Sequence, residues 1–153
     1  MIRKIILAVA GLAIAATAVL AASHVGPFDG AIKARQSHMR LNSHNLGILG
    51  GMAKGNIDYD AETAVGAAAN LVALSRLSKT GYWPVGSDSG AAEGTRALPA
   101  IWDNLDDLDV KFAGLADAAS AMESAAAIGL AELQEAMGAV GGPCGACHSV
   151  YRE

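Results

Sequence analysis

A pair of cysteines near the carboxyl end constrains the fold of this chain more than any other feature. Cys144 and Cys147 are its only two cysteines, and His148 follows the second one directly. A C-x-x-C-H run is the attachment signature of a c-type haem, in which both thiols bond to one porphyrin and the histidine ligates the iron. In an α-helix these positions are i, i+3 and i+4 neighbours on one side. The motif therefore predicts a terminal helix that holds a haem against one face.

Other uses of the two thiols fit the sequence less well. A structural zinc site usually needs four Cys or His ligands, and no second pair of ligands with suitable spacing is present. A thioredoxin-type dithiol opens a helix after a strand, whereas no strand pattern precedes this motif. A disulfide across two intervening residues is geometrically awkward in a helix. Haem attachment is favoured over all three.

The amino-terminal residues have the pattern of an export signal. Residues 3–4 are basic, residues 5–22 are mostly apolar, and small residues at the end of this run offer a cleavage site. We expect residues 1–22 to be a signal peptide and residues 23–153 to form one periplasmic domain. The alternative is an uncleaved membrane anchor, because the apolar run is at the short end of the length that spans a bilayer.

The chain is acidic, with 11 Lys or Arg, 15 Asp or Glu and a net charge of −4. Loss of the signal removes two basic residues and no acidic ones, so the mature domain has a net charge of −6. An acidic surface argues against binding to nucleic acid or to anionic membranes. It permits docking to a partner protein that has a basic patch.

The first candidate helix spans residues 28–54, with Asp29 as its cap and Gly55 at the C′ position. Residues at intervals of seven form one row along it: Ile32, Met39, Leu46 and Ala53. A parallel row contains Arg35, Asn42 and Leu49. The glycines of this helix weaken it by propensity, and they indicate close packing against a neighbouring helix or a flat ligand.

The second candidate helix spans residues 60–79, with Asp60 as its cap and Gly81 as its stop signal. Small and aliphatic residues form its apolar face: Ala64, Ala67, Ala68, Leu71, Val72, Leu74 and Leu77. Residues 80–96 are rich in Gly and Ser and are predicted to form a loop. Tyr82 and Trp83 at its start are expected to pack the loop onto the core.

The last two helices show apolar residues at alternating steps of three and four, as in the seam of a helix bundle. The third is predicted from Leu98 to about Ala127, with Pro99 in its first turn; its seam is Leu98, Ile101, Leu105, Leu108, Phe112, Leu115, Ala119 and Met122. The seam of the fourth is Leu130, Leu133, Met137, Val140, Cys144, Cys147 and Tyr151. Both thiols therefore lie on a buried seam, although Pro143 is expected to strain the helix there.

These segments predict an all-α fold. β-Branched residues are scarce and period-two alternation is not sustained, so strands are not expected. Four amphipathic segments with mostly short connections indicate an up-down-up-down four-helix bundle with the haem attached to the C-terminal helix. Four aspartates on the third helix are expected to form its solvated face rather than a catalytic group: Asp103, Asp106, Asp107 and Asp109.

The chain resembles the class II c-type cytochromes, which include cytochrome c'. The resemblance rests on the C-terminal haem motif and on short stretches such as Arg35-Gln36 followed by Met39. The segments Met52-Ala53-Lys54-Gly55, Arg96-Ala97-Leu98-Pro99-Ala100-Ile101-Trp102 and His148-Ser149-Val150-Tyr151-Arg152 are also similar to the family. The likeness covers residues 28–153, and Pro143 before the first cysteine departs from the expected pattern.

The resemblance implies roles for six residues. Cys144 and Cys147 would hold one covalently attached haem c, and His148 would be the proximal ligand. Residue 39 faces the distal side of the iron in this family, so Met39 would be either the sixth ligand or a packing residue. Two further side chains, Arg35 and Gln36, would lie near the haem edge, where a cation offsets propionate charge.

These roles favour an exported monohaem electron carrier over an enzyme, since no catalytic constellation is present. The alternative is a five-coordinate, high-spin haem protein that binds NO or CO; a third class is a small thiol-bearing interaction domain. We expect redox partner proteins and no nucleic acid partner. The family often dimerises through the first two helices, and the small residues there permit a homodimer without requiring one.

Other candidate ligands rank lower. His24, His38 and His44 are expected to face solvent, because the two on the first helix flank its apolar row. Three methionines on the seams are expected to pack in the core: Met52, Met122 and Met137.

Overall fold

The computed structural model describes residues 26–153, and these form four helices packed in a ring. The helices are α1 (Asp29–Ala53), α2 (Ala61–Arg76), α3 (Leu105–Ile128) and α4 (Leu130–Tyr151). Each helix packs on the next along the chain, and α4 closes the ring against α1. The predicted up-down-up-down bundle is confirmed.

Residues 26–153 contain no strand, only one isolated antiparallel bridge between Ala97 and Arg152. Within that range no helix has the length and apolar character that a membrane crossing requires. The predicted signal peptide (residues 1–22) and His24 lie outside the described residues.

The first helix buries the whole row of Arg35, Asn42 and Leu49, whereas of the predicted apolar row only Ile32 is fully buried. Its buried positions are Ile32, Arg35, His38, Asn42, Asn45, Leu49 and Met52. Met39, from the predicted apolar row, is 36% exposed. Asp29 does not cap this helix, because it is the first helical residue and follows Phe28 at the N-cap. Gly55 has a φ of 72°, which fits the predicted C′ position.

The second helix begins as predicted and ends early. The Asp60 carboxylate accepts a hydrogen bond from the Thr63 backbone N–H at 2.8 Å, which is the expected N-cap. The helix ends at Arg76, and Leu77 has a non-helical ψ of 139°. Leu77 is therefore exposed instead of extending the apolar face.

The third helix does not begin at Leu98. Pro99–Ile101 form a single 3₁₀ turn, and α3 starts only at Leu105. Two tertiary hydrogen bonds hold the interruption: the Leu98 N–H donates to the Tyr151 carbonyl at 3.0 Å, and the Trp102 indole donates to the Trp83 carbonyl at 3.1 Å. These contacts tie the segment to the C-terminus and to the long loop, residues 77–98, and the non-helical backbone of Asn104 (φ −141°, ψ 40°) separates the 3₁₀ turn from α3.

The fourth helix runs without a break through Pro143. A proline at this place removes the hydrogen bond to the carbonyl four residues earlier, at Ala139. Ala139 is exposed, so water can satisfy that carbonyl. The haem motif therefore lies in regular helix, as its spacing requires.

The interior has two parts, one at each end of the bundle. The main core takes residues from all four helices: Leu49, Met52, Ala64, Ala67, Ala68, Leu71, Leu115, Ala119, Met122, Ala126, Leu133 and Val140. The small core, at the other end, consists of Ile101, Leu108, Phe112 and Tyr151. Cys144 packs against the main core and Cys147 against the small core. The cysteine pair thus lies where the two parts meet.

Candidate haem site

The fourth helix presents Cys144, Cys147 and His148 on one side, each of them partly buried. Both cysteines are free thiols. The Cys144 Sγ lies 3.6 Å from the Val140 carbonyl oxygen of the preceding turn. The spacing therefore brings two thiols and an imidazole together, as predicted from the helical period.

Two cavities flank this side of the helix. The first, of about 320 Å³, is lined by residues of α1, of the long loop and of the small core, and the second, of about 290 Å³, lies toward the main core. Five residues line both cavities: Met39, Phe112, Cys147, His148 and Arg152. The cavities are thus two parts of one cleft around the motif.

Burial changes the titration of the motif. Desolvation raises the pKa of both thiols, Cys144 and Cys147. It lowers the pKa of His148, and the cations Arg152 and Arg96 lower it further. The imidazole is therefore neutral at physiological pH, and a neutral imidazole is the form that ligates a metal ion.

Met39 lies on α1 and His148 on α4, and both line each of the two cavities. The partial exposure of Met39 arises from this position on the cleft wall. A thioether and an imidazole from different helices therefore reach the same cleft. Of the described residues, no three His, Cys, Asp or Glu side chains form a cluster that could hold a metal ion.

Arg35 and Gln36 line the first cavity and also hold the long loop. The Arg35 guanidinium donates to the Tyr82 carbonyl at 2.6 Å and to the Ser87 hydroxyl and carbonyl at 2.7 and 2.8 Å. It also lies over the Trp83 ring, 4.8 Å from the centroid. The Gln36 Nε2 donates to the Gly94 carbonyl at 2.6 Å. Arg35 and Gln36 thus line the cavity and also anchor the loop to α1.

His38 is buried, contrary to the prediction that it faces solvent. Its ring packs edge-on against Tyr82 and Phe112, with centroids 5.8 and 6.1 Å away. Tyr82 arrives from the long loop, which the helical pattern of α1 could not reveal. His44 is exposed as predicted. Met52 and Met122 lie in the main core as predicted, and Met137 packs against it.

Several lining residues were not predicted as site residues. Phe112 and Tyr151 were expected only as seam positions, and Asn42 only as a member of the row that also contains Arg35 and Leu49. Asn42 Oδ1 and Trp83 Nε1 are buried without a hydrogen-bond partner among the described residues, and both side chains line the cleft. The sequence signal for Asn42 was its place one turn after Met39 on the same helix.

The residues that meet here fit a c-type haem. Two thiols have the required spacing, a neutral imidazole adjoins them, and the cleft extends along both sides of their helix. Phe112 and Trp83 add aromatic walls, and Arg35 supplies a cation for carboxylate groups. The donor set is that of a haem site and not of a bare metal ion.

Comparison with known proteins identifies the family. A profile described as Cytochrome C' matches residues 30–152. A cytochrome c-554 of Cereibacter sphaeroides is 48% identical over 122 residues, which cover 80% of each chain. A cytochrome c' of the same species is 35% identical over 151 residues, covering 98% of this chain and 97% of the relative.

A solved cytochrome c' from Rhodobacter Spheriodes superposes with a TM-score of 0.79 at 34% identity, covering 83% of this chain and 98% of that structure. The profile match and these relatives agree with the fold and with the cleft around the C-x-x-C-H motif. The chain belongs to the cytochrome c' family, whose members bind haem c covalently, and it is a haem c protein.

Proposed function

We propose that this protein is an exported monohaem electron carrier. Cys144 and Cys147 attach the haem through thioethers, His148 is the proximal ligand and Met39 is the sixth ligand. The bound haem supplies one-electron redox chemistry, and Met/His ligation suits electron transfer because it raises the reduction potential. The protein holds the group, sets its ligands and excludes water from it.

The shared lining of the two cavities supports this proposal most directly. Met39 and His148 come from helices that pack side by side, α1 and α4, and both border the whole cleft. The four helices fix these positions, so the ligand donors need little rearrangement between oxidation states. Arg35 and Gln36 act beside them: they hold the loop over the first cavity and keep a cation near its wall.

Absorption spectroscopy of the oxidised protein tests the sixth ligand. We expect a low-spin spectrum with the weak long-wavelength charge-transfer band of a thioether–iron bond. Met39→Leu should abolish this band and give a high-spin spectrum. Met52→Leu is the matched control, because Met52 lies on the same helix but is buried in the main core. Its loss should leave the spectrum unchanged. An unchanged Met39→Leu spectrum would exclude Met39 as a ligand.

Maturation tests the attachment residues. Cys144→Ser and Cys147→Ser should each leave the haem held by at most one thioether, which mass spectrometry under denaturing conditions detects. His148→Ala should disrupt ligation or maturation. His44→Ala is the control, since His44 is exposed on α1. Normal haem loading and an unaltered spectrum of His148→Ala would contradict its assignment.

Gas binding is the second candidate function. Two solved structures of cytochrome c' from Alcaligenes xylosoxidans, both 31% identical to this chain, hold carbon monoxide and NO. Met39 is 36% exposed in the cleft, so a small ligand can approach its thioether. Rapid CO uptake by the reduced wild-type protein, together with a high-spin spectrum, would favour this function over electron transfer.

We propose that the protein forms a homodimer through α1 and α2. A groove on this face is lined by apolar and small residues, among them Leu41, Ile48, Gly66 and Leu77. Gly66→Glu should shift the sedimentation coefficient toward the monomer, because a side chain there meets open space over the groove. Gly114→Glu on α3, where the added Cβ also meets no neighbour, should leave the oligomeric state unchanged.

Export is proposed from residues 1–22, with a periplasmic location for the mature domain. Amino-terminal sequencing of protein purified from the periplasm should begin near residue 23. Recovery of the intact chain in the membrane fraction would instead support an anchor.

A further inference from the structure

The cleft concentrates the positive charge of an acidic protein. Residues 26–153 contain nine Lys or Arg and 15 Asp or Glu. Five of the nine cations line the two cavities: Arg35, Arg40, Arg96, Lys111 and Arg152. Among the described residues that line the cavities, none is Asp or Glu. The residues that line the cleft thus carry positive charge, whereas the domain as a whole is negative.

Four of these cations form what we call the basic rim: Arg40, Arg96, Lys111 and Arg152. Arg40, Arg96 and Arg152 are exposed, whereas Arg35 is buried and bonded to the loop. Asp107 offsets part of the rim through its contact with Lys111 at 3.4 Å. The Arg96 guanidinium donates to a main-chain oxygen of Glu153, and this acidic residue therefore offsets part of the rim as well.

We propose that the basic rim is the docking surface for an acidic redox protein, one that surrounds its own electron-transfer centre with carboxylates. This inference rests on the proposed electron-carrier function. Charges beyond about 8–10 Å are screened at physiological salt, so a partner at the cleft meets the rim rather than the net charge of −6. A rim of this sign steers an anionic patch toward the haem edge.

A partner protein fits the rim better than an anionic membrane does. A membrane presents an extended negative surface, which meets the acidic remainder of the domain as well as the rim. A carboxylate patch on a protein can match the cleft alone. The net charge alone permits a partner with a basic patch, whereas the cations that line the cleft favour an acidic one.

The sign of the local charge is measurable with small oxidants. Reduced wild-type protein is mixed with hexacyanoferrate(III), or separately with a cationic cobalt(III) ammine complex, and each oxidant takes one electron from the haem iron. We expect the rate constant for the anion to fall between about 0.01 and 0.15 M ionic strength, and that for the cation to rise. The opposite pair of slopes would show that net charge governs the encounter and would overturn the proposal.

Charge-removing variants locate the effect. Arg40→Gln and Arg152→Gln should each lower the ratio of anionic to cationic rate constants roughly twofold or more at low ionic strength. The ratio cancels any change in the driving force of the haem itself. Arg76→Gln on α2 is the control with the same charge change far from the cleft, and it should leave the ratio nearly constant. Equal effects of Arg76→Gln and Arg40→Gln would overturn the proposal.

Two further probes separate the classes of partner. Polyglutamate should slow oxidation by hexacyanoferrate(III), because it competes for the rim. Cosedimentation of wild-type protein with phosphatidylglycerol vesicles, lost in Arg40→Gln but kept in Arg76→Gln, would assign the rim to a membrane instead. The rate ratio can be measured for a five- or six-coordinate haem, so its outcome is independent of the Met39 spectrum that tests the proposed function.

Discussion

At one end of the bundle, twelve buried apolar residues from all four helices form the main core. At the other end, four buried residues form the small core, and the space beside them is a cleft lined by five cations. The main core uses five alanines, which allow α2 and α3 to approach closely. The cleft end instead uses long polar side chains from α1 that reach the loop.

This contrast shows that one end of the bundle serves stability and the other end forms the cleft. At the alanine-rich end, close packing of apolar side chains stabilises the bundle, and the Tyr59 hydroxyl adds a hydrogen bond to the Ala126 carbonyl at 2.7 Å. At the cleft end, Arg35, His38 and Asn42 are buried on α1, and their side chains connect elements or line the cleft. Four predictions test this division, in order of decreasing expected effect.

Truncation in the main core should have the largest effect on stability. Leu133→Ala removes a fully buried side chain and should lower the free energy of unfolding by about 2–5 kcal/mol. Urea denaturation of the haem-loaded protein measures this loss. Leu130→Ala, at a position one turn earlier on α4 that is 37% exposed, should cost clearly less than Leu133→Ala. Equal losses would contradict the assignment of Leu133 to the main core.

Loss of the Arg35 guanidinium should have the next largest effect. Arg35→Met leaves the buried hydroxyl and carbonyl of Ser87 without their donor, so we expect a loss of about 2–3 kcal/mol. Hydrogen exchange should accelerate in residues 80–96 and remain slow in the main core. Arg35→Lys should recover only part of the protection, because an ammonium lacks the planar fork. Uniformly faster hydrogen exchange along the chain would show that the two ends of the bundle open as one unit.

Acidification should affect the cleft end through His38. Burial, and secondarily the charge of Lys79, lower the pKa of His38 from 6.5. The unfolded chain therefore binds the proton more readily, and stability that is present above pH 6.5 is lost as the pH falls toward the folded pKa. The slope for this proton is at most about 1.4 kcal/mol per pH unit. His38→Phe should flatten it in urea titrations between pH 8 and pH 5; the same slope in both proteins would exclude His38.

The smallest effect is expected at Asn42. Its Oδ1 has no hydrogen-bond partner among the described residues, so Asn42→Leu should change the free energy of unfolding by less than about 1 kcal/mol. Asn45→Leu is the matched comparison. Asn45 donates to the Leu41 carbonyl at 2.8 Å and accepts from Asn70 at 3.0 Å, so its replacement should cost about 1–3 kcal/mol. The reverse order in thermal unfolding would contradict these contacts.

Much of the fold could be predicted because helical periodicity is local. The steps of three and four on α4 correctly gave Leu133, Val140 and Tyr151 as buried. The N-cap at Asp60 depended only on a carboxylate three residues from its donor. The roles of Cys144, Cys147, His148 and Met39 in haem binding stay predictions that the variants above address.

Two of the errors involve contacts between distant segments. The segment before Leu105 is hydrogen-bonded through Leu98 to the Tyr151 carbonyl, and the buried His38 ring packs against Tyr82. Residues 44 or more positions apart make these contacts, which no local period reveals.

The order of residues along the chain was enough to establish a helical bundle with a haem motif in regular helix, because spacing along one helix fixes which side chains share a face. Three features emerged only from the packing of the helices and the loop: the buried face of α1, the residues that line the cleft, and the presence there of five of the nine cations in residues 26–153. Net charge is a sum over the whole chain, and periodicity describes a single helix. The potential at the haem edge depends instead on where separate segments bring their charges together.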